Sequence, residues 1–180
     1  MTHAFLRALA FTLDFEGGDK FTDHPSDHGG KTKWGITEST LDAHIAHGEC
    51  LPPIENLTLL TAMGIYWTDY WLAAGCDEIE DRNIAAKCFD QCVNLGASAA
   101  GKLLQRAVNK VVNAHLVEDG VVGPVTIAAT NHANPDALIS ALMQAQADRY
   151  LTIVDHDQTQ AVFLRGWLRR SKYNPARMVV

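Results

Sequence analysis

The chain has 180 residues, 47% hydrophobic and 20% charged, enough to bury a core in one domain or in two small ones and too apolar to be disordered or fibrous. Its formal net charge of −6 is unevenly spread: residues 1–95 carry six Lys and Arg against fifteen Asp and Glu, residues 96–180 nine against six. The acidic excess argues against nucleic acid as a partner, no apolar run reaches the ~18 residues of a membrane span, and the opening AFLRALAF is too short and too quickly followed by acids for a signal peptide.

In chain order, Phe5, Leu9, Leu13 and Glu16 recur at helical intervals, which predicts a first helix with Glu16 on its apolar face and Gly17 and Gly18 ending it. From Phe21 to Trp34 the residues are turn formers, Pro25, Ser26, Asp27, Gly29 and Gly30 among them, and a short irregular hairpin is expected. Helices are predicted over about 38–47, 58–73 and 82–95, closed by Gly48, Gly75 and Gly96. A further helix over about 98–113 has Leu103, Leu104, Ala107, Val108 and Val111 as its inner stripe. EDGVVGP reads as a turn with Pro124 opening the next helix, Asn134 and Pro135 open a long one to about Val154, and Gln158–Arg170 form the last. The charge shift and the GAS tripeptide place a boundary near Gly96, giving domains 1–95 and 96–180.

The four cysteines lack zinc-site spacing, and small buried apolar side chains in a reduced protein are the expected reading, with no structural metal. His24 and His28 form an HxxxH pair flanked by Asp23 and Asp27, but in a turn broken by Pro25 instead of on a helix face, so no metal is expected there either. Tyr66 with Tyr70, and Trp67 with Trp71, are two aromatic pairs at i, i+4 spacing; one pair belongs in a core and the other could stack on sugar rings. The basic run RGWLRRSKYNPAR is either a solvated helix face or an attractor of anionic envelope material.

The chemistry concentrates between residues 16 and 37. A carboxylate on an apolar face at a helix C-terminus is pushed toward its protonated form by desolvation and by the helix dipole. A carboxylic acid that keeps its proton near neutrality is what glycosidic cleavage needs as general acid, and Glu16 is the candidate. The glycines at 17 and 18 clear space beside it, while Gly29, Gly30 and Gly35 let a hairpin fold back over it. Asp27 and Thr32 lie on that hairpin and would hold and activate a water; for Asp27 an Asx turn is the structural alternative.

The block E16-G17-G18 followed by D27-x-G29-G30-x-T32-x-x-G35-I36-T37 resembles the signature of glycoside hydrolase family 108, lysozyme-like muramidases of phage endolysins and prophage regions. GKLLQRAVN, DGVVGPVT and FLRGWLRR resemble the predicted peptidoglycan-binding domain that often follows. The chain departs from the family where Asp19 and Lys20 stand between EGG and the aromatic Phe21. The resemblance implies a mainly α fold, a lysozyme-like helical domain with a small β-hairpin and a packed helical C-terminal domain. It implies hydrolysis of the bond between N-acetylmuramic acid and N-acetylglucosamine in peptidoglycan, without a cofactor, with Glu16 as acid and Asp27 and Thr32 completing the set. Phe21, Gly30, Tyr66 and Tyr70 are the candidate substrate-binding positions.

Two other functions stay open at this point. A lytic transglycosylase would use one glutamate on a similar fold and form an anhydro sugar without water. A wall-binding module would have lost catalysis. The expected partner is bacterial peptidoglycan, met by a monomer without stable membrane insertion. The chain is expected to be made in the cytoplasm and to reach the periplasm or wall through a phage holin or a secretion system.

Overall fold

The computed structural model describes residues 1–15, 21 and 31–175. Among these, helices dominate and the sole sheet is a two-stranded hairpin, so the chain is mainly α as its sequence patterning implied. It forms two compact units, Met1–Asp69 and Tyr70–Val180.

The first unit opens with α1 (His3–Phe15), whose buried positions Phe5, Ala8, Leu9 and Thr12 follow the helical stripe. Strands β1 (Thr32–Lys33) and β2 (Ile36–Thr37) pair antiparallel, Thr32 opposite Thr37 and Lys33 opposite Ile36. Thr37 then caps α2 (Glu38–Ala46), its hydroxyl accepting from the Thr40 amide at 3.2 Å. After a 3₁₀ turn at Ile54–Asn56, Thr58 caps α3 (Leu59–Tyr66) in the same manner, and the helix widens into a π-helical stretch, Trp67–Leu72. The core gathers Phe5 and Leu9 with Ile36, Leu41, Ile54, Leu57, Ile65 and Tyr66.

The second unit is built on α4 (Arg82–Leu95), buried continuously from Ile84 to Cys92. Asp81 caps it through the amides of Asn83 and Ile84, and Gly96, at φ 83°, ends it where the sequence placed its stop. Around it run α5 (Ala97–Val112), α6 (Pro124–His132), α7 (Pro135–His156) and, after a 3₁₀ turn at Gln158–Gln160, α8 (Ala161–Ser171). Helix α5 packs on α4, α6 and α7, and α7 also packs on α4 and α8. The inner stripe of α5 is Leu103, Leu104, Ala107 and Val108 as expected, whereas Val111 is only half-buried near the helix end.

A continuous apolar helix would suffice to fill this centre, yet α4 carries Lys87, Asp90 and Gln91 fully buried. Each has a partner, as burial demands. Arg170 of α8 contacts Asp90 Oδ1 through Nε at 3.0 Å and Nη2 at 2.9 Å. The Lys87 ammonium donates to the Ser171 carbonyl at 3.1 Å at the end of α8, and Gln91 donates to the Leu142 carbonyl of α7 at 3.0 Å. These bonds fix the rotation of α4 against α7 and α8, which nondirectional apolar contact cannot do. Of the cysteines, Cys76, Cys88 and Cys92 are buried free thiols, while Cys50 is exposed and departs from the expected burial. Burial pushes the Cys88 and Cys92 thiols up to about 12, the direction of an inert, uncharged sulfur.

Candidate active site

Helix α1 runs to Phe15, the residue directly before Glu16. Glu16, Asp27 and Gly30 lie outside the described residues, as do His24 and His28. What the structure places around that stretch is the scaffold: the helix leading into it and the hairpin leading out.

The hairpin turns on Trp34 and Gly35, with φ of 54° and 72°. Positive φ at both central residues of a two-residue loop is the I′ turn that matches strand twist. Glycine accepts this conformation freely, but a tryptophan does so only when its surroundings hold it. Two bonds do so: the Trp34 indole Nε1 donates to the Leu57 carbonyl at 3.2 Å, and the Tyr66 hydroxyl donates to the Trp34 carbonyl at 3.2 Å. A third tether is ionic. Lys31 pairs with the Glu55 carboxylate, and Lys33 donates to the Glu55 carbonyl at 2.6 Å. The bond from Lys31 is the main cause that holds the Glu55 carboxyl below its usual range. The described hairpin reverses at the Trp-Gly pair, while most of the stretch expected to form a hairpin, residues 22–30, lies outside the described residues.

Thr32 sits on β1, half-exposed, and its hydroxyl has no hydrogen-bond partner among the described residues. It is therefore free to bind a water or a substrate oxygen. Phe21 is 44% exposed, an open aromatic face.

The aromatic run departs from the expected pairing. Tyr66 and Trp71 are each 1% exposed, whereas Trp67 and Tyr70 are half-buried. The buried positions are five apart because the helix widens to π geometry here, replacing the i, i+4 face by i, i+5. Tyr66 is therefore a core residue whose hydroxyl is already engaged, and its expected contact with sugar is corrected on that ground. Trp67 meets Phe5 edge to face at 5.1 Å. Sequence reading also missed His44, which bonds Glu49 through Nδ1 at 2.6 Å and Asp69 through Nε2 at 2.8 Å. Residues spread over 25 positions of an acidic half give no local signal of that cluster. Among the described residues no group of three or more His, Cys, Asp and Glu is arranged to hold a metal.

The described scaffold is thus a helix that reaches the residue before Glu16 in the chain and a pinned hairpin that bears the Thr32 hydroxyl. Residues 9–96 match the family model described as glycosyl hydrolase 108, and residues 99–172 match the one described as a predicted peptidoglycan domain. Residues 9–96 form a glycosyl hydrolase 108 domain, and a predicted peptidoglycan domain follows it. The two domains together support a glycoside hydrolase that acts on peptidoglycan, and the EGG motif and hairpin both fall inside the glycosyl hydrolase 108 stretch. The chain is similar to SagA of Brucella abortus, with 29% identity over 96% of this chain and 92% of that one and a TM-score of 0.75. It matches no curated protein sequence. Family limits and packing limits differ, since α4 lies in the glycosyl hydrolase 108 stretch and also in the second compact unit.

Proposed function

We propose that the protein is an N-acetylmuramidase that cleaves the β-1,4 bond between N-acetylmuramic acid and N-acetylglucosamine. The observation that carries this reading is the glycosyl hydrolase 108 match over the stretch that contains EGG and the pinned hairpin. Glu16 donates its proton to the leaving glycosidic oxygen as the bond to the anomeric carbon breaks. A water attacks that carbon and gives up its proton to Asp27, while the free Thr32 hydroxyl orients it. Phe21 and Gly30 border the sugar path, the first through an aromatic face. The spacing supports the acid's role: Glu16 follows the buried Thr12 by four residues, so the apolar stripe of α1 points along the sequence to it.

Residues 1–95 perform the cleavage and residues 96–180 hold the wall. The chain acts as a monomer in the periplasm or on the wall, after release by a holin or a secretion system, which makes a bacteriolytic phage or prophage role the natural setting. Glu16→Gln tests the reading: it retains the fold by circular dichroism and fails to clear a suspension of purified cell walls. A variant that clears the suspension as fast as the wild type removes Glu16 from the mechanism.

A further inference from the structure

The second unit contains a cavity of about 510 Å³ at the start of α5, between the end of α4 and α7. Its size lies within the usual range for small-ligand sites. Lys102 and Arg106, one turn apart on α5, and Arg149 of α7 bring three cations to its rim. Arg106 is committed to Glu118, with Nε at 3.0 Å and Nη2 at 2.9 Å from Oε2. Among the described residues, Lys102 and Arg149 form no ion pair. The acid whose titration Lys102 influences, Asp119, has its Oδ1 occupied by Gln105 Nε2 and the Val121 amide, each at 2.8 Å. Two uncommitted charges on different helices therefore converge on one concavity, and Leu95 and Leu103 give it an apolar lining.

The frame is rigid. Gly101 of α5 lies so close to the Asp119–Gly123 turn that a Cβ on it would stand 2.2 Å from the Gly120 carbonyl oxygen. Gln105, 2% exposed, locks the same turn by accepting from the Gly120 amide at 2.8 Å and donating to the Val121 carbonyl at 3.1 Å. This is the structural meaning of the GKLLQ and DGVVG segments: together they hold the first turns of α5, and with them Lys102, in place. Preorganised charge above an apolar floor suits a small anionic ligand better than a neutral one.

We propose that this cavity binds the carboxylates of a short acidic peptide carrying small apolar side chains, the class to which the peptide stems of peptidoglycan belong. The inference rests on the reading of the protein as a peptidoglycan enzyme. Where the lactyl carboxyl of N-acetylmuramic acid is amide-bonded to a peptide, the remaining charge of the strand lies in that peptide, so the cations read the peptide, and the catalytic groups of the first unit read the sugar. Methyl groups of alanine fit the leucine-lined floor while the carboxylates meet Lys102 and Arg149.

The test follows backbone amide shifts of the full-length chain during titration with a soluble disaccharide-peptide, with the same disaccharide lacking peptide, and with inorganic phosphate. The disaccharide-peptide is expected to shift the amides of Ala97, Ser98 and Ala99, to bind more weakly as salt rises from about 0.05 to 0.5 M, and to lose at least about tenfold in affinity in Lys102→Glu/Arg149→Glu. Both side chains are exposed, so the variant keeps its fold. Equal binding of the bare disaccharide, or a variant that binds like the wild type, overturns the proposal. Phosphate binding as tight as the peptide overturns the peptide assignment. Release of reducing ends from peptide-free glycan strands separates the two readings: normal release without peptide binding sinks this proposal alone, and peptide binding without release sinks the muramidase alone.

Discussion

The Tyr66 hydroxyl donates to the carbonyl of Trp34 at 3.2 Å, joining the last turn of α3 to a tryptophan held at φ 54° in the hairpin loop. The bond compensates the strain of a bulky residue in a conformation that favours glycine, and so fixes the strand that presents Thr32. Tyr66→Phe removes this bond and keeps the ring. It is expected to cost about 1 kcal/mol and to lower the thermal midpoint by about 2–4 °C. Lytic activity should fall further than the lost stability explains, because the hairpin loosens; unchanged activity at full fold would disconnect the tether from catalysis.

Gly101 and Gly166 make a contrasting pair on exposed and packed ground. A Cβ at Gly101 meets backbone at 2.2 Å, whereas one at Gly166 in α8 meets nothing within 4 Å. Gly101→Ala is expected to destabilise by about 2–4 kcal/mol. Gly166→Ala should be stabilising by up to about 1 kcal/mol, since alanine restricts the unfolded chain and favours helix. Urea unfolding of the two variants measures both signs, and a neutral Gly101→Ala would show that the turn at Gly120 yields easily.

His44 is held between Glu49 and Asp69, a geometry that suits the imidazolium because both ring nitrogens then donate. The Glu49 bond is the main cause raising its pKa above 6.5; burial opposes it and Asp69 adds to it. The folded state keeps the proton to higher pH than the unfolded one. Its stabilisation is therefore complete below pH 6.5 and is lost as pH rises through the folded-state value. His44→Gln should be less stable than the wild type at pH 6, with the gap closing toward alkaline pH. A gap that is constant with pH would remove the charge from the account.

Lys87 gives the opposite sign. Burial pushes its ammonium from 10.5 down to about 8, with the neighbouring Asp90 charge opposing that fall. Between those values the unfolded state binds the extra proton, so stability rises with pH, by on the order of 3 kcal/mol if the whole interval is traversed. Cys88 and Cys92, ordinarily near 9 and here pushed up to about 12, reverse the trend above pH 9 because the unfolded thiols ionise first. The wild type is expected to gain stability between pH 8 and 9 and to lose it beyond. Lys87→Met should lack the gain; the same rise in that variant would assign it elsewhere.

Local chemistry made most of the fold legible. Thr58, Asp81 and Asn134 cap their helices, Pro124 and Pro135 start theirs, and Gly96 stops α4, each within a residue or two of its expected place. These signals act over one helical turn, which is why a sequence displays them. The π-helical widening at Trp67–Leu72 shifts the buried aromatic from position 70 to position 71, and no residue in the run announces it. Trp34 was legible only as a spacer, since its role depends on Tyr66 and Leu57, 32 and 23 residues away. The cations of the α5 cavity were also separate in sequence, Lys102 and Arg149 meeting only through helix packing. In the candidate active site, the spacing nominated Glu16, which lies outside the described residues, and Thr32 on β1, while the tethers that hold the hairpin came from tertiary structure.

Mass spectrometry of the soluble fragments released from purified peptidoglycan tests the central claim most directly. A water-using muramidase yields fragments ending in reducing N-acetylmuramic acid, and Glu16→Gln yields none. Fragments ending in anhydro-muramic acid would contradict the account, replacing hydrolysis by transglycosylation and removing Asp27 and Thr32 from the handling of water.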